Sequence, residues 1–296
     1  MARRRPAGAA GGAGKIINGP FNNLSASNRN HPRPWPKPET GGPVTPSDPP
    51  IAAHLEALHR DGFVLLRGVL DAGRIAELHE AIDALRPEHW DYTGLVDHYK
   101  CVFNRDPLWL PYLDLPGVIE LAEAALGADC HVIGQTAWRC HPGFIGGDLH
   151  QDYQVMELPE SLLADPDFRV PMQILTAHLF IDRITEDLCP TCVIPGSHRA
   201  GRAPAEGETH WRGRAAEPVL CEAGDVLLFR SDLWHAGSRN LSGDRIRYLL
   251  QVHYGRRMVA QKFSPYLHWR FDPRVLAAAT PRQRRLLGDH EPSEYD

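Results

Sequence analysis

Beyond residue 130 the sequence breaks into short β-rich runs, at 130–138, 173–181, 192–195, 219–221, 226–230 and 245–254, each bounded by Gly, Pro, Asp or Asn. Ahead of them the pattern is helical: His54 to His59, and then Ile75, Leu78, Ile82 and Leu85, recur at helical spacing around a short strand at Gly62-Phe63-Val64-Leu65-Leu66. A further helix is predicted over 117–126, stopped by Gly127. Helices followed by strands, without βαβ alternation, predict a mainly β fold with flanking α: an antiparallel sandwich or barrel decorated by N-terminal helices. The first fifty residues contain ten Pro and seven Gly and cannot form a packed core. The expected organisation is therefore an extended or disordered arm over 1–50 and a single domain over 51–296.

The chain has 296 residues, 43% hydrophobic and 23% charged, enough for one substantial core. No run approaches the about 18 apolar residues of a membrane span, and the Arg-, Gly- and Pro-rich start lacks the apolar centre of a signal peptide. A soluble, cytoplasmic protein with no membrane partner is expected. The net charge is −5, yet Arg3, Arg4, Arg5, Lys15, Arg29, Arg33 and Lys37 precede the first acid, so the body is more acidic than the whole. An acidic body argues against nucleic acid as a partner. Six scattered cysteines do not make a disulfide framework, and Cys189-Pro-Thr-Cys192 has no second pair to complete a zinc site.

The chemistry concentrates in two segments. Asp148-Leu-His150-Gln-Asp152 sets an imidazole and a carboxylate two residues apart, on one face of an extended strand. The segment from Glu222 to Tyr248 offers a turn at Gly224-Asp225, an apolar strand, His235 at the strand's far end, and then Arg245 and Arg247. With His235 as third ligand, two neutral imidazoles and one carboxylate leave three open positions. That suits Fe(II), which must bind a chelating co-substrate and O2 together, whereas zinc closes such a site with one water. Period-two reading of 245–254 puts Arg245, Arg247, Leu249, Gln251 and His253 on one face. If that face lines an interior, a buried Arg must find an anion, and a dicarboxylic co-substrate would supply one.

His150-x-Asp152, Cys192-Val-Ile-Pro-Gly-Ser-His198, Gly224-Asp225…Trp234-His235…Asn240-x-Ser242 and the Arg247 strand together resemble the phytanoyl-CoA dioxygenase family of Fe(II)/2-oxoglutarate-dependent oxygenases, as does Asp61-Gly-Phe-Val-Leu-Leu66 before a helix. The resemblance covers roughly residues 54 to 256. It implies a double-stranded β-helix (jelly roll, cupin-like) with iron held by His150, Asp152 and His235. It also implies an arginine on the far carboxylate of 2-oxoglutarate. Both Arg245 and Arg247 fit that window, and Arg247 matches the family's strand without a gap. On the strand ahead of the first ligand, Gln135 is the preferred co-substrate contact among Gln135, Thr136, Trp138 and Arg139. His198 is read as a turn residue, and Thr176 and His178 share a strand face that could border a substrate.

The resemblance further implies oxidative decarboxylation of 2-oxoglutarate to succinate coupled to oxidation of a small-molecule substrate. Family halogenases put a small residue where Asp152 stands here, so hydroxylation is expected. Two rival readings are a jelly-roll binding module without activity and a zinc-dependent cupin-like hydrolase or isomerase. The residues name neither the primary substrate nor the oligomeric state.

Overall fold

The computed structural model describes residues 49–154, 158–263 and 268–292, so the arm expected over 1–50 falls outside the described residues except at its last two positions. The body opens with helix α1 (Pro49–Arg60), strand β1 (Phe63–Leu66) and helix α2 (Ala72–Ala84), in the order the periodicity predicts. Asp71 sets the start of α2 by accepting the Arg74 amide at 2.9 Å, which satisfies one of the donors a helix N-terminus leaves open. Strand β2 (Val96–Lys100), helix α3 (Val118–Leu126) and strand β3 (His131–Cys140) follow. Gly127 caps α3 at φ +112°, as its position in the sequence suggests.

The rest of the chain supplies helix α4 (Glu160–Ala164) and strands β4 (Ile174–Phe180), β5 (Thr191–Val193), β6 (His210–Trp211), β7 (Arg214–Ala215), β8 (Glu217–Pro218), β9 (Val226–Arg230), β10 (His235–Gly237) and β11 (Arg247–Gly255). It closes with helices α5 (Pro273–Ala278) and α6 (Pro281–Leu286). The main sheet has six strands in the order β1-β9-β4-β11-β3-β2, all antiparallel. A second sheet runs β10-β5-β8, and β6 and β7 form a hairpin. Among the described residues these are separate sheets and do not close into a barrel. The strand expected at 219–221 is absent: Cys221 makes only an isolated bridge to Ile184, and the pairing strand is β8, just before it. No helix among the described residues is long and apolar enough to cross a membrane.

Alternation along the main sheet gives its two faces different work. Leu250, Val252 and Tyr254 of β11, Leu175, Ala177 and Leu179 of β4, and Val226 and Leu228 of β9 join the large core, with Leu58 of α1, Leu78 and Ile82 of α2 and Leu121 of α3. On the opposite face Phe180, Leu227, Phe229 and Leu249 pack with Val193 of the second sheet. The apolar contact holds the two sheets face to face at one end and leaves the other end open for polar side chains.

The Gly224-Asp225 turn locks β9 to the β1 end. Gly224 sits at φ +90°, and a Cβ there would fall onto the Leu70 carbonyl oxygen. The Asp225 carboxylate is buried and accepts from the Gly68 amide (2.8 Å), the Glu222 amide (3.0 Å) and Arg67 (2.8 Å). Gly224→Ala combines left-handed strain with a backbone clash, so we expect it to lower unfolding stability by about 1–3 kcal/mol. Urea denaturation with an unchanged m-value checks this, and a midpoint equal to that of the parent chain refutes it.

Candidate metal centre and its pocket

His150 and His235 form an isolated antiparallel bridge in which each amide donates to the other's carbonyl, at 2.9 and 2.8 Å. Residues directly opposite in this way send their side chains to the same side, and the ring centroids lie 4.4 Å apart. Asp152, two residues on, returns to the face of His150. Its Oδ1 is 3.7 Å from Nε2 of His150 and 3.6 Å from Nε2 of His235. Candidate ligand atoms of all three lie within 4.8 Å of one another. Donors at about 2.1 Å from one ion sit about 3 Å apart when perpendicular, so a small contraction would bring this set onto a common centre.

The two imidazoles are also in the right tautomer for ligation. Nδ1 of His150 faces the Asp148 carbonyl at 2.8 Å and Nδ1 of His235 faces the Leu233 carbonyl at 2.9 Å. A carbonyl only accepts, so each Nδ1 carries the proton and each Nε2 turns its lone pair toward Asp152. Burial, aided by the charge of His235, pushes the pKa of His150 down. Burial opposes charge on His235 too, yet the Asp152 carboxylate prevails and raises it. Burial likewise works against the Asp152 carboxylate, but His235, with His253 and Lys262 beyond it, holds it well below the usual carboxylate range. An ionised carboxylate between two neutral-capable imidazoles is a donor set that fits a divalent cation.

The triad faces a cavity of about 1070 Å³ whose other wall is the polar face of the main sheet. Arg247, the first residue of β11, is buried there. It donates to the Cys189 carbonyl at 2.7 Å and to the Cys140 sulfur at 3.5 Å, while among the described residues its Nε has no partner and no carboxylate pairs with it. A buried guanidinium with donors to spare is a seat for an anion. Arg245 stands outside: it precedes β11, is half exposed and pairs with Asp187 at 2.8 Å. The structure thus separates two arginines that the sequence leaves as alternatives. Cys189 and Cys192 are free thiols, and Cys189 serves the cavity through its carbonyl.

Strand parity also separates Gln135 from Thr136. Gln135 is opposite Val252, a residue of the large core, and its amide donates to the Trp109 carbonyl at 3.3 Å. Thr136, opposite Gln251, belongs to the pocket face. Both residues nevertheless border the cavity, and Gln135 Oε1 has no hydrogen-bond partner among the described residues. The Thr136 hydroxyl donates to Gln251 Oε1 at 3.0 Å, which also accepts from Trp138 at 2.7 Å. The Gln251 amide in turn meets His178 at 2.7 Å, and His178 meets Thr191 at 3.2 Å. Thr176 is buried against His253 (3.1 Å) and Ser231 (3.3 Å). His198 is buried away from the triad and bonds the His59 carbonyl at 3.1 Å, a structural position.

Several pocket residues escaped the sequence reading: His98, Lys100, Lys262, Phe263 and Trp269 all border the cavity. The run Val96-Asp-His-Tyr-Lys100 alternates with period two, so its inner face could have been suspected. Lys262 sits in a loop whose partner is visible only in three dimensions.

A profile of the phytanoyl-CoA dioxygenase family matches residues 58–248. The chain is 27% identical over 243 residues to the Mycobacterium tuberculosis protein Rv1501, covering 79% of this chain and 85% of that one. It is 26% identical over 229 residues to the dioxygenase aneA of Aspergillus aculeatus, covering 67% and 72%. Among solved structures, the epimerase SnoN in complex with Fe3+, alpha-ketoglutarate and nogalamycin RO shares the fold. Its TM-score is 0.56, at 18% identity over 70% of this chain and 84% of that one.

His98 offers a test of the pocket's polarity. It stacks on Trp138 with centroids 3.6 Å apart at 11°, and neither ring nitrogen has a partner. Burial, helped by Lys100, pushes its pKa from 6.5 to about 3. The unfolded chain binds this proton near 6.5 and the folded chain does not until about 3, so the contribution is complete above the higher value and is lost as pH falls toward the lower. His98→Phe keeps the stack and removes the titration. We expect it to lose less stability than the parent chain between about pH 6.5 and pH 4; parallel stability curves would count against the assignment.

Proposed function

The chain belongs to the phytanoyl-CoA dioxygenase family, whose members use Fe(II), 2-oxoglutarate and O2, and from that premise we propose that it hydroxylates an unactivated C–H bond of a small molecule. In this reading His150, Asp152 and His235 hold the ferrous ion and Arg247 grips the far carboxylate of 2-oxoglutarate. The two facing sheets are the halves of a jelly roll within a single domain over 51–296, flanked by the N-terminal helices and preceded by the arm 1–50. The observation that carries the reading is the convergence of two tautomer-locked imidazoles and one carboxylate within 4.8 Å, in the same cavity as a buried arginine with an unpartnered Nε.

Once bound, iron, 2-oxoglutarate and O2 together supply the oxidant for C–H cleavage, with succinate and CO2 as co-products. The chain's own part is placement. The carbonyls of Asp148 and Leu233 keep both Nε2 atoms aimed at one point. Arg247 is held in place by Cys189 and Cys140 before any ligand arrives, so it loses little freedom on binding a carboxylate. Phe229 of the apolar contact between the sheets packs on the His235 ring, with centroids 4.8 Å apart. Asp152 occupies the position a halide would need, which favours oxygen transfer over halogenation. The SnoN structure is described as an epimerase, so the fate of the substrate after C–H cleavage is the part of the reading that product analysis decides. That protein's complex with nogalamycin RO supports a natural-product-like substrate.

We expect His150→Ala and Asp152→Ala each to weaken Fe(II) binding by more than the about 10–100-fold that losing a ligand's supporting partner costs and to abolish succinate formation. Anaerobic metal titration and succinate assay check this. Retained turnover in either variant with iron present contradicts the proposal, and metal-dependent turnover insensitive to 2-oxoglutarate would favour a zinc hydrolase or isomerase. Arg247→Ala should raise the 2-oxoglutarate requirement by about tenfold or more, the scale of a lost charge-assisted pair; an unchanged requirement removes Arg247 from that role.

A further inference from the structure

The whole chain contains four lysines, Lys15, Lys37, Lys100 and Lys262, against an abundance of arginine. Lys100 and Lys262 are the two within the described residues, and both border the cavity of the metal triad. Lys100 ends β2 on the pocket face, opposite Thr136. Lys262 is anchored by its amide to the Ile133 carbonyl at 2.9 Å. Its stem lies across β3 at Gly134, where an added Cβ would stand 3.6 Å from Lys262 Cδ and 3.7 Å from His253 Cδ2. Neither ammonium has an ion-pair partner among the described residues, although most surface arginines here do.

The charge balance of the cavity is positive. Its lining contains one acidic residue, Asp152, against Arg247, Arg270, Lys100 and Lys262. This inference rests on the proposed seats for iron and 2-oxoglutarate: with a divalent ion on the triad and a dianion reaching from it to Arg247, the ion and the dianion offset one another. Asp152, which acts on Lys262, offsets one of the four cations, so the lining keeps an excess of positive charge. His98, two residues before Lys100 on β2, is stacked on Trp138, with both ring nitrogens unpartnered among the described residues. Beside Lys262 the wall is apolar: Phe263 and Trp269 pack at 5.1 Å, and Trp90 stands 6.5 Å from Trp269. An ammonium is a compact, flexible point charge that suits one carboxylate end of a ligand whose body lies on aromatic rings.

We propose that the primary substrate is an organic acid, an apolar or aromatic body carrying a carboxylate held by Lys262 and Lys100, with His98 donating to the same group. The body lies against Trp138, Phe263 and Trp269, and the carboxylate fixes which carbon faces the triad. Burial lowers the Lys262 pKa against the opposing pull of Asp152.

The probe is a matched pair, 1-naphthylacetate and the neutral 1-naphthylacetamide, titrated into the full-length chain under argon by quenching of tryptophan fluorescence. Samples carry Mn(II) and saturating 2-oxoglutarate, so the Arg247 seat is filled, and each titration is repeated without both. We expect the acid to bind about tenfold tighter than the amide, the scale of one partly desolvated charge pair. Lys262→Met and Lys100→Met should each narrow the gap markedly, Lys262→Arg should retain most of it, and Arg245→Met should leave it untouched. Equal binding of acid and amide to the parent chain overturns the proposal, and that comparison needs no variant to fold. So does a gap that survives both methionine variants. A preference abolished by Arg247→Met and not by the lysine variants also overturns it, because the acid then sits in the co-substrate seat. Metal affinity measured on the same samples keeps the two readings apart: an acid preference that persists where no metal binds leaves the lysine site standing and removes the dioxygenase reading.

Discussion

The reciprocal pair of backbone hydrogen bonds between His150 and His235 is the constraint on which the site depends. It joins a strand-like segment far back in the chain to β10, and it does so at the two residues whose imidazoles must meet. Two rings 4.4 Å apart repel one another if both are protonated, so their placement needs both a fixed backbone and a carboxylate between them. Asp152 provides the second, and the carbonyls of Asp148 and Leu233 settle the tautomers. The site is thereby arranged by main-chain geometry, the least adjustable part of a protein, before any ligand is present.

How much of this was legible in the sequence follows from which interactions are local. The helix at Ala72–Ala84, the stop at Gly127 and the alternation of β11 are short-range patterns, and each is readable residue by residue. His150 and Asp152 share a face by simple parity. Nothing local says that His235 is their partner; that came from the order of spaced motifs. Thr136 and Gln135 show the opposite limit: the two neighbours pair with Gln251 and Val252 on opposite faces of the sheet, yet both border the cavity, which parity alone does not foretell. Strand β10 has three residues and β8 two, too few for any period to register. The C-terminal helices carry a local signal too: Asp272-Pro273 and Thr280-Pro281 each place a capping side chain before proline, and both caps are made.

The polar wall of the cavity is ordered as a network. Gln251 connects Thr136 and Trp138 on one side to His178 and Thr191 on the other. Each side chain in this row uses its neighbour as partner, so the wall carries little unmet hydrogen-bonding demand and stays rigid. The cavity-lining residues that hold an unpartnered atom among the described residues are Arg247 (Nε), His98 (both ring nitrogens), Gln135 (Oε1) and Trp269 (Nε1). Arg247 pairs with Cys140 of β3 and His98 of β2 with Trp138, so these two stand two strands and two residues apart. Unmet polar atoms spread along the cavity leave it able to meet polar groups of more than one ligand.

Strand β11 shows how the fold tolerates so polar an interior. Its even-numbered residues Leu250, Val252 and Tyr254 enter the large core with the helices, while Arg247, Gln251 and His253 face the cavity. Burial of an apolar side chain stabilises by about 1.5–3 kcal/mol, and burial of an unpaired polar group costs a comparable amount. The helix-covered face therefore supplies the stability that lets the opposite face keep a cation and two imidazoles in reserve. Leu249 interrupts the polar row at the place where the second sheet approaches and joins Phe180 and Phe229 there. That single apolar position marks where sheet-to-sheet packing ends and the cavity begins, so the boundary between structure and chemistry runs through one strand, one side chain at a time.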